Sequence, residues 1–142
     1  MTPKTVALIG TFDTKGEELS FLRTRIENAG LRTLMIDVGV LGSATFEADI
    51  SQAEVAAAAN EDLAALRTER DRGRSVTAMA VGAKAILVRL FEQGAIDGVV
   101  SLGGSAGTAI ATAAMRALPV WLPQIDGFHT CLRRYQALRG NH

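Results

Sequence analysis

Thr5-Val6-Ala7-Leu8-Ile9-Gly10 is a continuous β-favouring run in which no polar residue alternates with the apolar ones. A strand with one wet face needs that alternation. Without it both faces must be covered, which is the situation of an interior strand in a parallel sheet. Asp97-Gly98-Val99-Val100-Ser101-Leu102 is a second run of the same kind. Parallel neighbours cannot be joined by a hairpin, so the chain between such runs must make crossovers, normally helical.

Helical patterns lie where the crossovers are required. Thr14-Lys15-Gly16-Glu17 places a hydroxyl and a carboxylate at capping-box spacing, and Leu19, Leu22, Ile26 and Ala29 then recur at helical intervals, so a helix is expected from about Thr14 to a C′ glycine at Gly30. Leu31 to Val38 reads as the next strand. Ser51-Gln52-Ala53-Glu54 is a second capping box before an alanine run, and Asn60 is expected to cap a charged helix reaching Arg72. Ser75 is expected to open a core-packing helix carrying Val76, Met79, Ala80, Ala83, Ile86, Leu87, Leu90 and Phe91 on one face and ending at Gly94. An alanine-rich helix to about Leu118 follows the second interior strand. The alternation predicts an α/β fold, a three-layer Rossmann-like parallel sheet with helices on both faces. With the first strand central, the loops at Thr11–Lys15 and Gly103–Thr108 flank one crevice at the carboxyl ends of the strands, where such sheets bind ligands.

Composition narrows the function. The 142 residues are 48% hydrophobic and 21% charged, which suits one folded domain. Fifteen Lys and Arg balance fifteen Asp and Glu, so nothing draws the chain to nucleic acid or an anionic membrane. The single cysteine, Cys131, can form neither an internal disulfide nor a thiolate metal cluster. No apolar run approaches the roughly 18 residues of a membrane span, the start is too short on apolar residues for a secretory leader, and the cytoplasm is the expected address.

Gly103-Gly104-Ser105-Ala106-Gly107-Thr108 puts three glycines and two hydroxyls where a strand turns into a helix, so that several backbone N–H groups can converge on an anion; a tight packing turn is the plainer reading. The same residues spell G-x-S-x-G, the nucleophile elbow of α/β hydrolases, with Ser105 as the nucleophile and Asp126 and His129 following in hydrolase order. Those two lie only three residues apart, whereas hydrolase triads take acid and histidine from separate loops. Gly10-Thr11-Phe12-Asp13-Thr14-Lys15-Gly16 lacks the spacing of a Walker A loop but offers Thr11, Asp13 and Lys15 at the mouth of the first strand, with Lys15 suited to a phosphate and Asp13 to a hydroxyl or a hydrated Mg²⁺. A helix cap with a local charge pair is the plainer reading there. Asp37 stands at the end of the second strand, where dinucleotide folds hold a ribose and where any fold starts a loop. His129 and His142 lack partners at metal-ligand spacing, and the alternating charges from Arg67 to Arg74 read as a solvated helix face.

Taken together, Ile9-Gly10-Thr11-Phe12-Asp13-Thr14-Lys15, Asp37-Val38-Gly39, Asp49-Ile50-Ser51, Asp71-Arg72-Gly73 and Ser101-Leu102-Gly103-Gly104-Ser105-Ala106-Gly107-Thr108 resemble the ATP-binding domain family of the tomato mosaic virus resistance protein, over about Thr5 to Pro123. The resemblance implies ATP as ligand, with contacts from Thr11, Asp13 and Lys15 and from Gly103, Gly104, Ser105, Gly107 and Thr108, in a longer multi-domain protein that self-associates. Residues 1–125 are accordingly expected to be a nucleotide-binding domain, incomplete on its own, either a fragment of a larger multi-domain protein or a part encoded separately from its second domain. Trp121 replaces a family glycine, and 126–142 is expected to be a divergent tail with Phe128, Leu132, Tyr135 and Leu138 along one side of a short helix. If the family's next strand is missing, the sheet edge beside Val99 stays open, unless Trp121 and Ile125 supply a substitute. A small serine hydrolase built on Ser105 and a non-catalytic self-association scaffold are the rival functions.

Overall fold

The computed structural model describes residues 3–40, 42, 47–102, 105–118 and 124–126, without the side chains of 105–108 and 124–126. Strand β1 (Thr5–Gly10) leads into α1 (Phe12–Asn28) and β2 (Arg32–Asp37). Three helices, α2 (Gln52–Ala58), α3 (Leu63–Glu69) and α4 (Arg72–Glu92), carry the chain to β3 (Gly98–Leu102), and α5 (Ser105–Met115) to β4 (Gln124–Asp126). All pairings are parallel and the order is β2-β1-β3-β4, so β1 is interior, as its unalternated run requires.

The period-two geometry of the strands divides their side chains between two helical layers. Val6, Leu8, Met35 and Val100 pack with Leu19, Leu22 and Ile26 of α1 on one face. Ala7, Ile9, Ile36 and Val99 pack on the other with Val55, Leu66, Met79, Ala83, Ile86, Leu87, Ile110 and Ala111 from α2, α3, α4 and α5. These two cores make the three-layer arrangement. Among the described residues no helix is long and apolar enough to cross a membrane.

Three local expectations are corrected, and one left open is decided. Thr14 does not cap α1, which begins at Phe12 after Thr11 and bends at Lys15 (φ −122°, ψ 22°). The reason is tertiary: the Phe12 N–H donates to Asp37 Oδ1 across 3.2 Å, so a neighbouring strand supplies the acceptor a local cap would have given. Asn60 does not start a helix. It adopts φ 59°, a left-handed conformation Asn tolerates, and closes α2, while Asp62 precedes α3. Helix α4 starts at Arg72 rather than Ser75, because Asp71 accepts the Arg74 N–H at 3.1 Å and so caps the helix three residues sooner. Of the two outcomes left open for the β3 edge, the covered one is found: β4 pairs with it, Ile125 opposite Val100. Other signals lie where they were read. Ser51 caps α2 in a reciprocal box with Glu54, and Gly30 and Gly94 take positive φ at the ends of α1 and α4.

Candidate functional site

Register aligns the ends of three strands. Gly10 is the partner of both Asp37 in β2 and Leu102 in β3, so the segments beginning at Thr11, Val38 and Gly103 leave the sheet at one level. Gly10 is also tightly packed: a Cβ there would lie 2.5 Å from the Leu102 carbonyl oxygen in the neighbouring strand and 2.8 Å from a Leu19 methyl of α1. From this level β1 feeds α1 on one face and β3 feeds α5 on the other. The gap between them is the crevice at which strand order reverses.

The β1–β2 side of the crevice is a connected polar network. Asp37 is 2% exposed, and its Oδ1 accepts N–H groups from Phe12 at 3.2 Å and Gly39 at 2.9 Å. Its carboxylate thus points into the protein and holds the turn after β2, which places Asp37 behind the crevice rather than on a ligand's edge. Asp13 Oδ2 accepts the Gly42 N–H at 3.1 Å. Gln52, itself 5% exposed, donates through Nε2 to the Gly42 carbonyl at 3.0 Å. Its Oε1 accepts Nη2 of Arg67 at 2.6 Å, and Arg67 Nε donates to the Val40 carbonyl at 2.7 Å. The sequence marks Gln52 only as a member of a capping box and Arg67 only as part of a solvated face. Neither role is visible in a local pattern, because each depends on carbonyls far away in the chain.

Burial pushes the Asp37 carboxyl above its ordinary 3.8; the N–H groups of Gly39 and Phe12 and the Gln52 amide pull it back down, and the nearby Asp13 charge adds to the rise. A carboxyl whose pKa is higher folded than unfolded binds its proton more tightly in the native state, so its ionisation weakens the fold. Relative to Asp37→Asn, the wild-type protein should therefore lose stability as pH rises from 3.8 through the raised value, and the difference should then level off. Urea unfolding of both proteins between about pH 3.5 and pH 7 reads this directly. A wild-type protein that gains on the variant over that range would contradict the assignment.

Lys15 stands half-buried at the bend in α1, and among the described residues its ammonium has no acidic partner. Thr11 Oγ1 and Thr14 Oγ1 share a hydrogen bond of 2.7 Å beside it. On the β3 side, Leu102 ends the strand and α5 starts at Ser105. Gly103 and Gly104 lie outside the described residues, as do the side chains of Ser105, Gly107 and Thr108. For the hydrolase alternative, Ser105 opens α5 as an elbow would, Asp126 pairs with Ser101 through β4, and His129 lies outside the described residues. Among the described residues no three His, Cys, Asp or Glu side chains gather as a metal cluster. A Mg²⁺ here would rest on Asp13, waters and ligand oxygens, which is how this ion is usually held beside phosphates.

The likeness to the ATP-binding domain family of the tomato mosaic virus resistance protein is corrected by comparison with known proteins. Residues 4–125 match instead the family described as "Uncharacterised protein family (UPF0261) N-terminal domain". A UPF0261 protein of Clostridium tetani is 44% identical over 122 residues, covering 86% of this chain and 30% of its own length. UPF0261 proteins of Rhizobium meliloti and Brucella suis are 41% and 39% identical over 122 and 119 residues, covering 86% and 84% of this chain and 30% and 28% of theirs. The chain thus spans about 30% of the length of the curated relatives it matches. The match from residue 4 to residue 125 runs through core, caps and loops alike. By that match the chain belongs to the UPF0261 family and carries its N-terminal domain.

Proposed function

We propose that the crevice between β1 and β3 binds a nucleotide, ATP with Mg²⁺, and that this domain is the nucleotide-holding part of a larger protein. The observation that carries the reading is the register of Gly10 with Asp37 and Leu102 at the point where the strand order reverses. The two sides of the crevice suit the two ends of such a ligand. The side bearing Asp13 favours a sugar hydroxyl or a hydrated cation, and the side bearing Gly103, Gly104, Ser105, Gly107 and Thr108 at the start of α5 favours phosphate. Lys15 supplies the mobile positive charge, and the Thr11 hydroxyl lies beside it. Asp37 acts from behind, fixing Phe12 and Gly39. The bound Mg²⁺ would supply charge neutralisation at the phosphates. Self-association, and any reaction of the nucleotide, are assigned to the longer protein that the curated relatives represent.

Calorimetric titration with Mg·ATP, ADP and adenosine tests the reading. ATP should bind more tightly than adenosine, and Lys15→Ala should weaken ATP by roughly tenfold while leaving adenosine unchanged, since only the phosphates carry charge for Lys15 to meet. Equal weakening of both ligands would show that Lys15 acts through structure.

A further inference from the structure

We propose that Arg67 is a positioning residue for the crevice, acting through Gln52 and the turn after β2 to aim Asp13. The inference rests on the proposed ligand site only for its binding consequences; the relay itself is read from the geometry.

Among the described residues, the turn leaving β2 shows no backbone ladder bond beyond Val38, and side chains from three helices meet its polar groups. Arg67 of α3 takes the Val40 carbonyl, Gln52 of α2 takes the Gly42 carbonyl, and Asp13 of α1 takes the Gly42 N–H. Arg67 Nη2 also lies 3.5 Å from the Gly42 carbonyl. A guanidinium serves here where an ammonium would not: its Nε and Nη2 reach the Val40 carbonyl and the Gln52 amide oxygen at once, from one planar group. By accepting from Arg67, Gln52 Oε1 is held so that Nε2 faces Gly42. The last link is steric. A Cβ on Gly39 would lie 2.7 Å from Asp13 Oδ1 and 3.1 Å from Gln52 Nε2, so both side chains converge over the space that this glycine leaves. A shift of Gln52 is therefore passed to Asp13 through Gly42 and across Gly39. Arg67 touches no ligand position itself, and its effect must come through these partners.

Two measurements on the full chain test the relay. In Arg67→Met, which keeps the aliphatic stem but removes the donors, the Gly42 amide should exchange with solvent roughly tenfold faster, while amides of β1 and of α1 beyond Gly16 keep their rates. Arg67→Lys should not restore Gly42 protection, because its donors radiate from one nitrogen and do not reproduce the separated, coplanar Nε and Nη2 that meet Val40 and Gln52. Unchanged Gly42 exchange, rescue by Lys, or an equal rise across β1 and α1 would each overturn the proposal. The second measurement is Mg·ATP affinity in a cycle of Arg67→Met and Asp13→Ala. Arg67→Met should weaken binding in the wild-type background and do nothing further once Asp13 is gone; additive losses would show a merely structural role and overturn it. Failure of the wild-type chain to bind Mg·ATP would remove the ligand reading above and leave the exchange result to decide the relay.

Discussion

Replacing Gly104 with valine is expected to weaken Mg·ATP by more than about 100-fold while leaving the melting temperature within roughly 2 °C of wild type. Only Gly103 and Gly104 join the end of β3 at Leu102 to the start of α5 at Ser105. A branched side chain in that link is expected to keep a phosphate from the backbone N–H groups that a glycine would leave open to it. Calorimetry and thermal unfolding of the same preparation read both halves of the expectation. A folded variant with wild-type affinity would remove the phosphate from this turn.

Gly82→Ala is expected to destabilise the protein by about 3 kcal/mol, which for a domain of this size is a fall of roughly 10 °C in melting temperature. Helix propensity alone says the opposite, because alanine in a helix interior is favoured over glycine by about 1 kcal/mol. The packing decides. At Gly82 the middle of α4 meets α2 so closely that a Cβ would overlap the Val55 carbonyl oxygen and press on the Val55 side chain. Backbone cannot rotate away as a side chain can, so α2 must move off a core in which Val55 and Ala56 are fully buried. Gly73, in the first turn of the same helix, is the control: its added Cβ would meet only Asp71 Oδ1 at 3.5 Å. Gly73→Ala should therefore be neutral or stabilising by up to about 1 kcal/mol. A Gly82→Ala variant as stable as wild type would mean that α2 and α4 are not packed in this way.

The contrast between these two glycines shows what could be read before the structure and what could not. The unalternated runs at Val6–Ile9 and Gly98–Val100 require cover on both faces, and both β1 and β3 are interior strands. The apolar stripe of α4 was equally plain. Helix starts were less so, because several residues competed for each cap: Asp71 took the role expected of Ser75, and the distant Asp37 made a cap at Thr14 unnecessary. Near the candidate site, Asp13 and Lys15 stand just past the end of β1, in the first turns of α1, a position the sequence alone assigns them. Gln52 and Arg67 were not legible in this way, since what matters in them is a carbonyl at Gly42 or Val40 that no local pattern announces. The family, likewise, is shown by a match spanning residues 4–125 and not by the short blocks at the strand ends.

The account turns on the crevice where β1 and β3 diverge. A titration of the ¹⁵N-labelled chain with Mg·ATP, followed by amide chemical shifts, examines it at every residue at once. The reading predicts saturable shifts concentrated at residues 10–15 and 102–108, with smaller ones at Gly39 and Gly42. Shifts that fail to saturate, or that gather elsewhere, such as on the outer face of α4 around Thr77 and Val81, would contradict it.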